Sequence, residues 1–285
     1  MILQQSAAHA PSYLTTKEVA DLLRVKERKV YDLAAAGEIP HRRITGKLLF
    51  PSAEITAWIE GEDDHSTAER PPVLTGSHDP LLDWAVRESG SGLATLLNGS
   101  LGGLDSFRAG QAALAGMHIP EKDGGWNLRS IAARGLKNTV LIAWARRSRG
   151  LIVAPAARHT IHRVSDLRGK RVVLRQPGAG AAALMDQLLA AEDMTRSDLV
   201  LTDELAHTES DAAAAVAAGA ADAVIGIEGM ARRFNLDFVP LVEEQFDLLI
   251  DRRAYFTDPV QALLDFARIA PLAEKAKAMG GYDLS

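Results

Sequence analysis

Positive charge is concentrated in one short stretch of this 285-residue chain, between residues 24 and 47. That stretch holds seven lysine and arginine residues against three acidic ones, although the formal net charge of the whole chain is −5. Basic side chains neutralise the phosphates of nucleic acid, and a few polar ones can read base edges. The spacing therefore predicts a duplex-DNA interface, with the solvated face of a small helical domain as the alternative. The residues expected to contact DNA are Thr16, Lys26, Glu27, Arg28, Lys29, Tyr31, Arg42, Arg43 and Lys47.

A second set of residues with binding chemistry lies within residues 73–285, where glycines, hydroxyls and histidines precede expected helix starts. Free N–H groups at helix N-termini bind anions when such small and polar side chains surround them. A small polar ligand is therefore predicted there. The expected ligand contacts are Ser77, His78, Ser100, His118, Arg175, Gln176, Gly178, Ala179, Gly180, Thr208 and Glu228.

Several of these side chains also have a purely structural interpretation. Arg175 is the strongest candidate for a ligand contact, yet the same position suits a structural salt bridge. His78 and His118 either bind the ligand or tie loops together. The carboxylate of Glu228 would repel an oxyanion unless it paired with Arg175, and it would otherwise favour a cationic or zwitterionic ligand.

The sequence carries no recognisable catalytic or metal-binding motif. It contains no cysteine, which excludes disulfides and thiolate metal sites. Ser91 lies outside a Gly-x-Ser-x-Gly frame, and neither a His-Glu-x-x-His motif nor a Walker loop occurs. The pair His159-x-x-His162 is expected at the surface rather than on a metal. We therefore expect no cofactor, no metal and no enzymatic activity.

The elements that must position the basic residues are short and well marked. Thr15 followed by Glu18 predicts a capping box and a helix start. A second helix is expected over residues 27–36, ended by Gly37, and a hairpin is expected around the turn at Thr45 and Gly46. Ser52 then starts a third helix. Two helices, a hairpin wing and a closing helix make a winged helix-turn-helix.

Residues 13–60, called the head below, resemble the excisionase-type (MerR-like) winged helix-turn-helix family. The resemblance rests on Leu14-Thr-Thr-Lys-Glu-Val-Ala-Asp-Leu-Leu-Arg-Val25, Val30-Tyr31, Gly37-Glu-Ile-Pro40 and Glu54-Ile-Thr-Ala-Trp-Ile59. It implies a recognition helix in the major groove and a wing on the backbone. The family usually has serine where this chain has Lys26, and the loss of a hydroxyl cap costs about 1 kcal/mol.

Residues 73–285, called the body below, alternate between strand-like and helix-like runs. Strands are expected at residues 72–76, 93–97, 113–117, 139–144, 151–154, 170–174, 222–227 and 238–242. Such alternation predicts an α/β fold with a mostly parallel sheet and helices on both faces. Ligands of parallel sheets bind beyond the carboxyl ends of the strands.

The body resembles the type II periplasmic-binding-protein superfamily, and more narrowly the substrate-binding-like domain of bacterial regulators related to molybdate-binding proteins. The resemblance implies two lobes that close over a small ligand, such as a molybdate-like oxyanion. One turn departs from the family: relatives have Arg-Gly-Ser-Gly-Thr-Arg where this chain has Pro177-Gly-Ala-Gly-Ala-Ala182, so two hydroxyls and two guanidinium groups are missing. The matching segments are Gly76-Ser-His-Asp-Pro-Leu-Leu82, Ala115-Gly-Met-His118, Arg175-Gln176 and Phe246-Asp-Leu-Leu249.

The domain organisation follows from these patterns. We expect a disordered N-terminus over residues 1–12, the head, an acidic proline-terminated linker over residues 61–72, and a two-lobed body. The first residues do not form a secretory signal, and no apolar run is long enough for a membrane span, so a cytoplasmic location without membrane contact is expected.

The two resemblances together imply a ligand-responsive transcription regulator. Its expected partners are a double-stranded DNA operator, a small-molecule or oxyanion effector, and a second copy of the chain in a homodimer. Two alternatives stay open: an enzyme or metabolite-binding protein that uses the two-lobed domain, and an architectural excisionase-like DNA-binding protein.

Overall fold

A computed structural model describes residues 12–59 and 69–285 of the chain. The chain divides into two compact units, Met1–Thr67 and Ala68–Ser285. The predicted disordered N-terminus (1–12) lies outside the described residues except for Ser12, as does most of the predicted linker (61–72). No helix in the described ranges is long and apolar enough to cross a membrane.

The head contains three helices and a small antiparallel sheet, as the sequence predicts. Thr15 and Glu18 form the capping box in full, and Gly37 follows the second helix with a positive φ of 71°. One strand was not predicted: Tyr13–Thr15 pairs with the second wing strand and makes a three-stranded sheet. The elements are β1 (Tyr13–Thr15), α1 (Thr16–Leu23), α2 (Glu27–Ala35), β2 (Arg42–Ile44), β3 (Lys47–Pro51) and α3 (Ser52–Ile59).

A single apolar core holds the head together. Val19, Val30, Phe50 and Ile55 come from three helices and the wing, and all four are completely buried. Burying such a side chain contributes roughly 1.5–3 kcal/mol. This core fixes which side of α2 faces outward.

The body is a mixed α/β domain built on one large sheet. Its elements are β4 (Val73–Gly76), α4 (Pro80–Glu88), β5 (Ala94–Leu96), α5 (Gly99–Arg108), β6 (Leu114–Met117), α6 (Leu128–Ala132), β7 (Thr139–Val153), β8 (Arg171–Val172), α7 (Gly180–Ala191), β9 (Val200–Leu201), α8 (Glu209–Ala217), β10 (Ala223–Ile227), α9 (Glu228–Arg233), β11 (Asp237–Asp251), α10 (Asp258–Phe266), α11 (Ala270–Met279) and β12 (Tyr282–Asp283).

The prediction of a mostly parallel sheet is wrong. The strands of the described body lie in the order β5-β4-β6-β11-β7-β10-β8-β9, and β12 pairs with β7. Parallel pairs occur among β4, β5 and β6 and among β8, β9 and β10, but β7 and β11 run antiparallel to their neighbours. The sheet is mixed because two strands return through its centre.

Those two central strands are also longer than predicted. β7 and β11 each span 15 residues and pair with each other from end to end. The sequence predicts separate strands at residues 139–144 and 151–154, whereas these runs are the two ends of β7. The arginine-rich middle of β7 breaks the apolar pattern and hides its continuity.

The long strands connect two lobes. The first lobe (residues 73–138 and 252–285) places its strands against one half of β11, and the second lobe (residues 154–236) places β10 against one half of β7. Each lobe has apolar clusters on both faces of its part of the sheet. The segments that follow β4, β6 and β8 and the N-termini of α5, α7 and α8 approach the middle of β7 and β11.

Candidate functional site

The outer face of α2 presents the predicted DNA-contacting residues to solvent. Val30 and Ala34, one turn apart, are buried in the head core, and this fixes the opposite face outward. Lys26 precedes the helix and makes no side-chain cap, in line with the lost hydroxyl. Tyr31 is exposed, as are the three residues that begin the helix, Glu27, Arg28 and Lys29.

The wing adds further positive charge. Arg42, Arg43 and Lys47 are all exposed on the β2–β3 hairpin. Arg42 donates to Oε1 of Glu54 at 2.8 Å, an exposed salt bridge of the kind that contributes little to stability. Thr16 differs from the other eight predicted contacts: it begins α1 and is only 8 % exposed, so it belongs to the head core rather than to the exposed face.

In the body, three of the predicted ligand-binding residues come together where β4, β6 and α5 meet. The hydroxyl oxygens of Ser77 and Ser100 are 2.6 Å apart, and Ser100 Oγ accepts from the backbone N–H of His118 at 3.2 Å. All three residues are buried. They form a compact polar cluster on the first lobe.

The turn before α7 brings the second lobe onto that cluster. The carbonyl of Gly178 accepts from the backbone N–H of Leu101 at 3.1 Å, which joins the N-termini of α5 and α7. A Cβ at Gly180 would lie 2.2 Å from the His118 carbonyl oxygen, and one at Gly99 would lie 3.0 Å from the Gly178 carbonyl oxygen. The lobes therefore meet through glycines, and Ala179, buried at the N-cap of α7, lies between them.

A chain of buried ion pairs runs from the first lobe through the long strands. Asp79, the N-cap of α4, accepts from Arg147 Nη1 at 2.7 Å and from the hydroxyl of Tyr282 at 2.7 Å. Arg147 also pairs with Glu244, and its guanidinium lies 4.4 Å from the ring centre of Phe246. Arg147 and Glu244 are directly opposite each other on β7 and β11, and both are completely buried.

The series of buried ion pairs continues into the second lobe. Arg149 pairs with Glu244 and donates through Nη2 to Glu209 Oε1 at 3.0 Å. Arg175 donates through Nη1 to the same carboxylate at 2.6 Å and through Nε to the carbonyl of Ala206 at 3.2 Å. Arg175 thus has the structural salt bridge that was the alternative to a ligand contact.

Burial and charge determine the protonation of these groups. Burial alone would raise the pKa of Glu209, but Arg149 and Arg175 outweigh it and hold that pKa well below its usual range. The pKa of Glu244 is likewise lowered well below its usual range, because Arg147 and Arg149 outweigh burial. His118 donates through Nδ1 to the ionised Glu244 carboxylate at 2.9 Å, and burial lowers the pKa of its ring and favours the neutral form.

The remaining predicted contacts surround this centre at different distances from it. His78 is half-buried with no hydrogen-bond partner for its buried Nδ1, and burial lowers the pKa of its ring. Gln176 contacts the ring of His207. Thr208 caps α8 by accepting from the N–H of Asp211 at 3.0 Å.

Glu228 does not pair with Arg175. It begins α9 and accepts from Arg232 Nε at 2.8 Å, one helical turn away. Glu209 is the acid that Arg175 meets instead, because α8 begins directly beside the end of β8. His159 and His162 lie exposed on the second lobe, and the described residues include no group of three or more side chains placed to hold a metal ion.

Sequence reasoning missed five members of the ion-pair chain. These are Asp79, Arg147, Arg149, Glu209 and Glu244. One signal was available: Arg147 and Arg149 are two residues apart between apolar runs, and strand periodicity puts both on one face. Their acidic partners are distant in sequence and carry no comparable signal.

Two known family models match the chain. Residues 83–268 match the PBP (periplasmic-binding-protein) superfamily domain, which is more than half of the chain. The chain belongs to the PBP superfamily. Residues 13–63 match a helix-turn-helix domain, so this PBP superfamily member carries a helix-turn-helix head.

Two proteins named as uncharacterised are similar in sequence to this chain. The Bacillus subtilis protein YvgK is 26 % identical over 262 residues, covering 84 % of this chain and 85 % of its own length. An uncharacterised protein encoded in the 5′ region of a Clostridium pasteurianum ferredoxin gene is 35 % identical over 74 residues, covering 26 % of this chain and 66 % of its own length. Neither name states a ligand.

Solved structures support the fold at low sequence identity. A mutant of Corynebacterium glutamicum OxyR bound to H₂O₂ aligns with a TM-score of 0.52 and 10 % identity over 93 % of this chain and 89 % of its own. A putative phosphate ABC transporter substrate-binding protein from Clostridium perfringens aligns with a TM-score of 0.55 and 11 % identity, covering 75 % of this chain and 98 % of its own. The regulatory domain of MetR, a LysR family regulator from N. meningitidis, aligns with a TM-score of 0.50 and 10 % identity, covering 74 % of this chain and 96 % of its own.

Proposed function

We propose that this PBP superfamily member is a DNA-binding transcription regulator whose body binds a small polar effector between its two lobes. The observation that carries the proposal is the combination of two domains in one chain. The head has an exposed basic helix and wing, and the body has lobes that meet at a polar cluster. Both domains suit binding rather than catalysis.

The effector would act by favouring one arrangement of the lobes. A ligand shifts such an equilibrium only by its different affinity for the two states. Ser100 and His118 of the first lobe lie against the turn that holds Gly178 and Gly180 in the second. Buried ion pairs also connect His118 to Arg175 through Glu244, Arg149 and Glu209. A molecule bound there would contact both lobes at once and favour their closed arrangement. The molybdate-like oxyanion that the sequence resemblance implies is one candidate effector, and a small polar molecule without net negative charge is the other.

Arg70 offers a route from the lobes to the chain that leads to the head. Its guanidinium donates to the carbonyls of Phe107 and Ala112, stacks on the Phe107 ring, and pairs with Asp251 at 3.0 Å. Asp251 ends β11, and Phe107 lies at the end of α5, whose N-terminus touches the second lobe. Arg70 therefore moves as part of the first lobe, and an effector that changes the arrangement of the lobes would act on the head through that lobe.

We further propose a homodimer, because a head of this size makes few DNA contacts alone and paired half-sites double them. The body is the expected dimer surface, including the region of α10. The inner face of α10 is buried, with Val260 and Leu263 in the first-lobe core. Phe256, just before this helix, and Ile269, just after it, are exposed. Sedimentation of the full chain with and without DNA tests this, and a monomer at micromolar concentration in both conditions would contradict it.

The DNA-binding part is tested with the full chain on duplexes selected from a random-sequence pool. Arg28→Ala should cost about 1–3 kcal/mol of affinity for selected duplexes and relax the selected sequence, because Arg28 lies at the start of the recognition helix. Arg43→Ala, on the wing, should weaken all duplexes alike and reduce the salt slope by about one. Fluorescence anisotropy at several salt concentrations measures both effects.

The matched control is Lys277→Ala, which removes one exposed positive charge from the body. Its affinity should equal that of the wild type. If a folded variant carrying both Arg28→Ala and Arg43→Ala bound DNA as well as the control does, the regulator proposal would be wrong. Selection of no duplex at all by the wild-type chain would equally contradict the proposal.

A further inference from the structure

Glu209 occupies a position that has the geometry of an anion receptor. It is the first residue of α8, and it is completely buried. Arg149 and Arg175 both donate to its carboxylate, at 3.0 and 2.6 Å. A helix N-terminus with two convergent guanidinium groups binds anions in many proteins. In this chain the anion between the two arginines is one of its own side chains.

The charges around Glu209 are balanced. Among the described residues, the ion-pair chain holds three guanidinium groups, those of Arg147, Arg149 and Arg175, and three carboxylates. Every carboxylate accepts from at least one guanidinium, and every member is at most 5 % exposed. On a protein surface, water can solvate an ion that loses its partner. These six side chains are buried, so each needs its partner of opposite charge.

An added oxyanion would upset this balance. Each unpaired ion in a buried site costs several kcal/mol. Sulfate, phosphate or molybdate would either bring uncompensated negative charge beside Glu209 and Glu244 or displace one of them from its arginines. A neutral or zwitterionic molecule adds no such cost.

We propose that Glu209 is a built-in counter-anion that determines effector specificity: it fills the position between Arg149 and Arg175 and restricts the effector to a small polar molecule without net negative charge. This inference rests on the proposed function only in taking the region between the lobes as the effector site. The fold of the body holds Glu209 and Glu244 in place, so the exclusion of negatively charged effectors does not depend on the head.

Removal of the carboxylate should turn the site into a receptor for external anions. Full-length Glu209→Ala and wild type are melted in chloride, formate, sulfate, phosphate and molybdate at equal ionic strength. In chloride the variant should melt roughly 6–20 °C below the wild type. Formate or an oxyanion should restore most of that loss by binding the folded state between the arginines. Wild type and the exposed control Glu204→Ala should change by less than about 2 °C among the salts.

Three results would overturn the proposal. The first is a wild-type chain that an oxyanion stabilises as strongly as it does Glu209→Ala, or that binds one at micromolar concentration in calorimetry. The second is a Glu209→Ala chain that responds to anions no more than Glu204→Ala does. If Glu209→Ala does not fold, Glu209→Ser also leaves room for an anion between the two arginines, and the third result is the lack of any rise in its melting temperature with formate or sulfate. None of these measurements uses DNA, so failure of the regulator proposal in the DNA assay is distinguishable from failure here.

Discussion

Replacement of Glu244 by alanine should strongly destabilise the body. The Glu244 carboxylate meets Arg147, Arg149 and His118, and all four side chains are buried. Alanine would leave the two guanidinium groups with Asp79 and Glu209 alone, at the ends of the chain of ion pairs. Three guanidinium groups would then be buried with only two carboxylates.

The size of the effect follows from the desolvation of the arginines. Breaking a buried ion pair by removing one partner costs about 3–5 kcal/mol. A domain of this size loses roughly 2–4 °C in melting temperature for each kcal/mol. The body transition of Glu244→Ala should therefore lie roughly 6–20 °C below that of the wild type. Glu244→Gln keeps the volume and one acceptor, so it should lose less.

Differential scanning calorimetry of the full chain measures this, since it separates the transition of the body from that of the smaller head. Glu243→Ala is the matched control, because Glu243 is the neighbouring residue on β11 and is exposed. The control should stay within about 0.5 kcal/mol of the wild type. The reasoning is refuted if Glu244→Ala melts with the control, since the buried arginines would then not need that carboxylate.

Three further predictions concern other parts of the chain. Gly180→Ala should force the lobes apart, because its Cβ would lie 2.2 Å from the His118 carbonyl oxygen. Small-angle scattering should show a larger radius of gyration for it than for the exposed control Gly125→Ala, and equal radii would contradict the contact. Burial lowers the pKa of His118 below its usual 6.5, so the unfolded chain binds more protons than the folded one below that pH. The free energy of unfolding should therefore fall as the pH is lowered from about 7 to about 5. Urea titrations should show a shallower fall in His118→Gln, and an equally steep fall would argue against a neutral ring. Thr15→Ala should cost the head about 1 kcal/mol through loss of the α1 cap, and a head transition in calorimetry unchanged from wild type would rule the cap out as a source of stability.

The head could be predicted in detail because its signals are local. The capping box at Thr15 and Glu18, the glycine after α2 and the turn at Thr45 and Gly46 each act within a few residues. Only the strand Tyr13–Thr15 was missed, since its partner is β3, more than thirty residues away.

The body was predicted less completely, and the errors share a cause. Helix starts near Asp79 and Asn98 and before Ala181 were found, because capping residues and glycines mark them locally. The direction of the strands was not, because β7 and β11 pair across more than eighty residues of sequence. Nothing in a strand's own residues states which neighbour it meets or in which direction.

The sequence alone therefore determined the two-part plan of the chain, the outward basic face of the head and the loops that approach the meeting point of the lobes. Each depends on periodicity, capping or turn chemistry within one element. The charge pattern between the lobes was decided only by the tertiary structure, which brings Asp79, Arg149, Glu209 and Glu244 together from four distant segments. A buried charge requires a partner, but that requirement does not specify which residue supplies it, and only the folded chain does so.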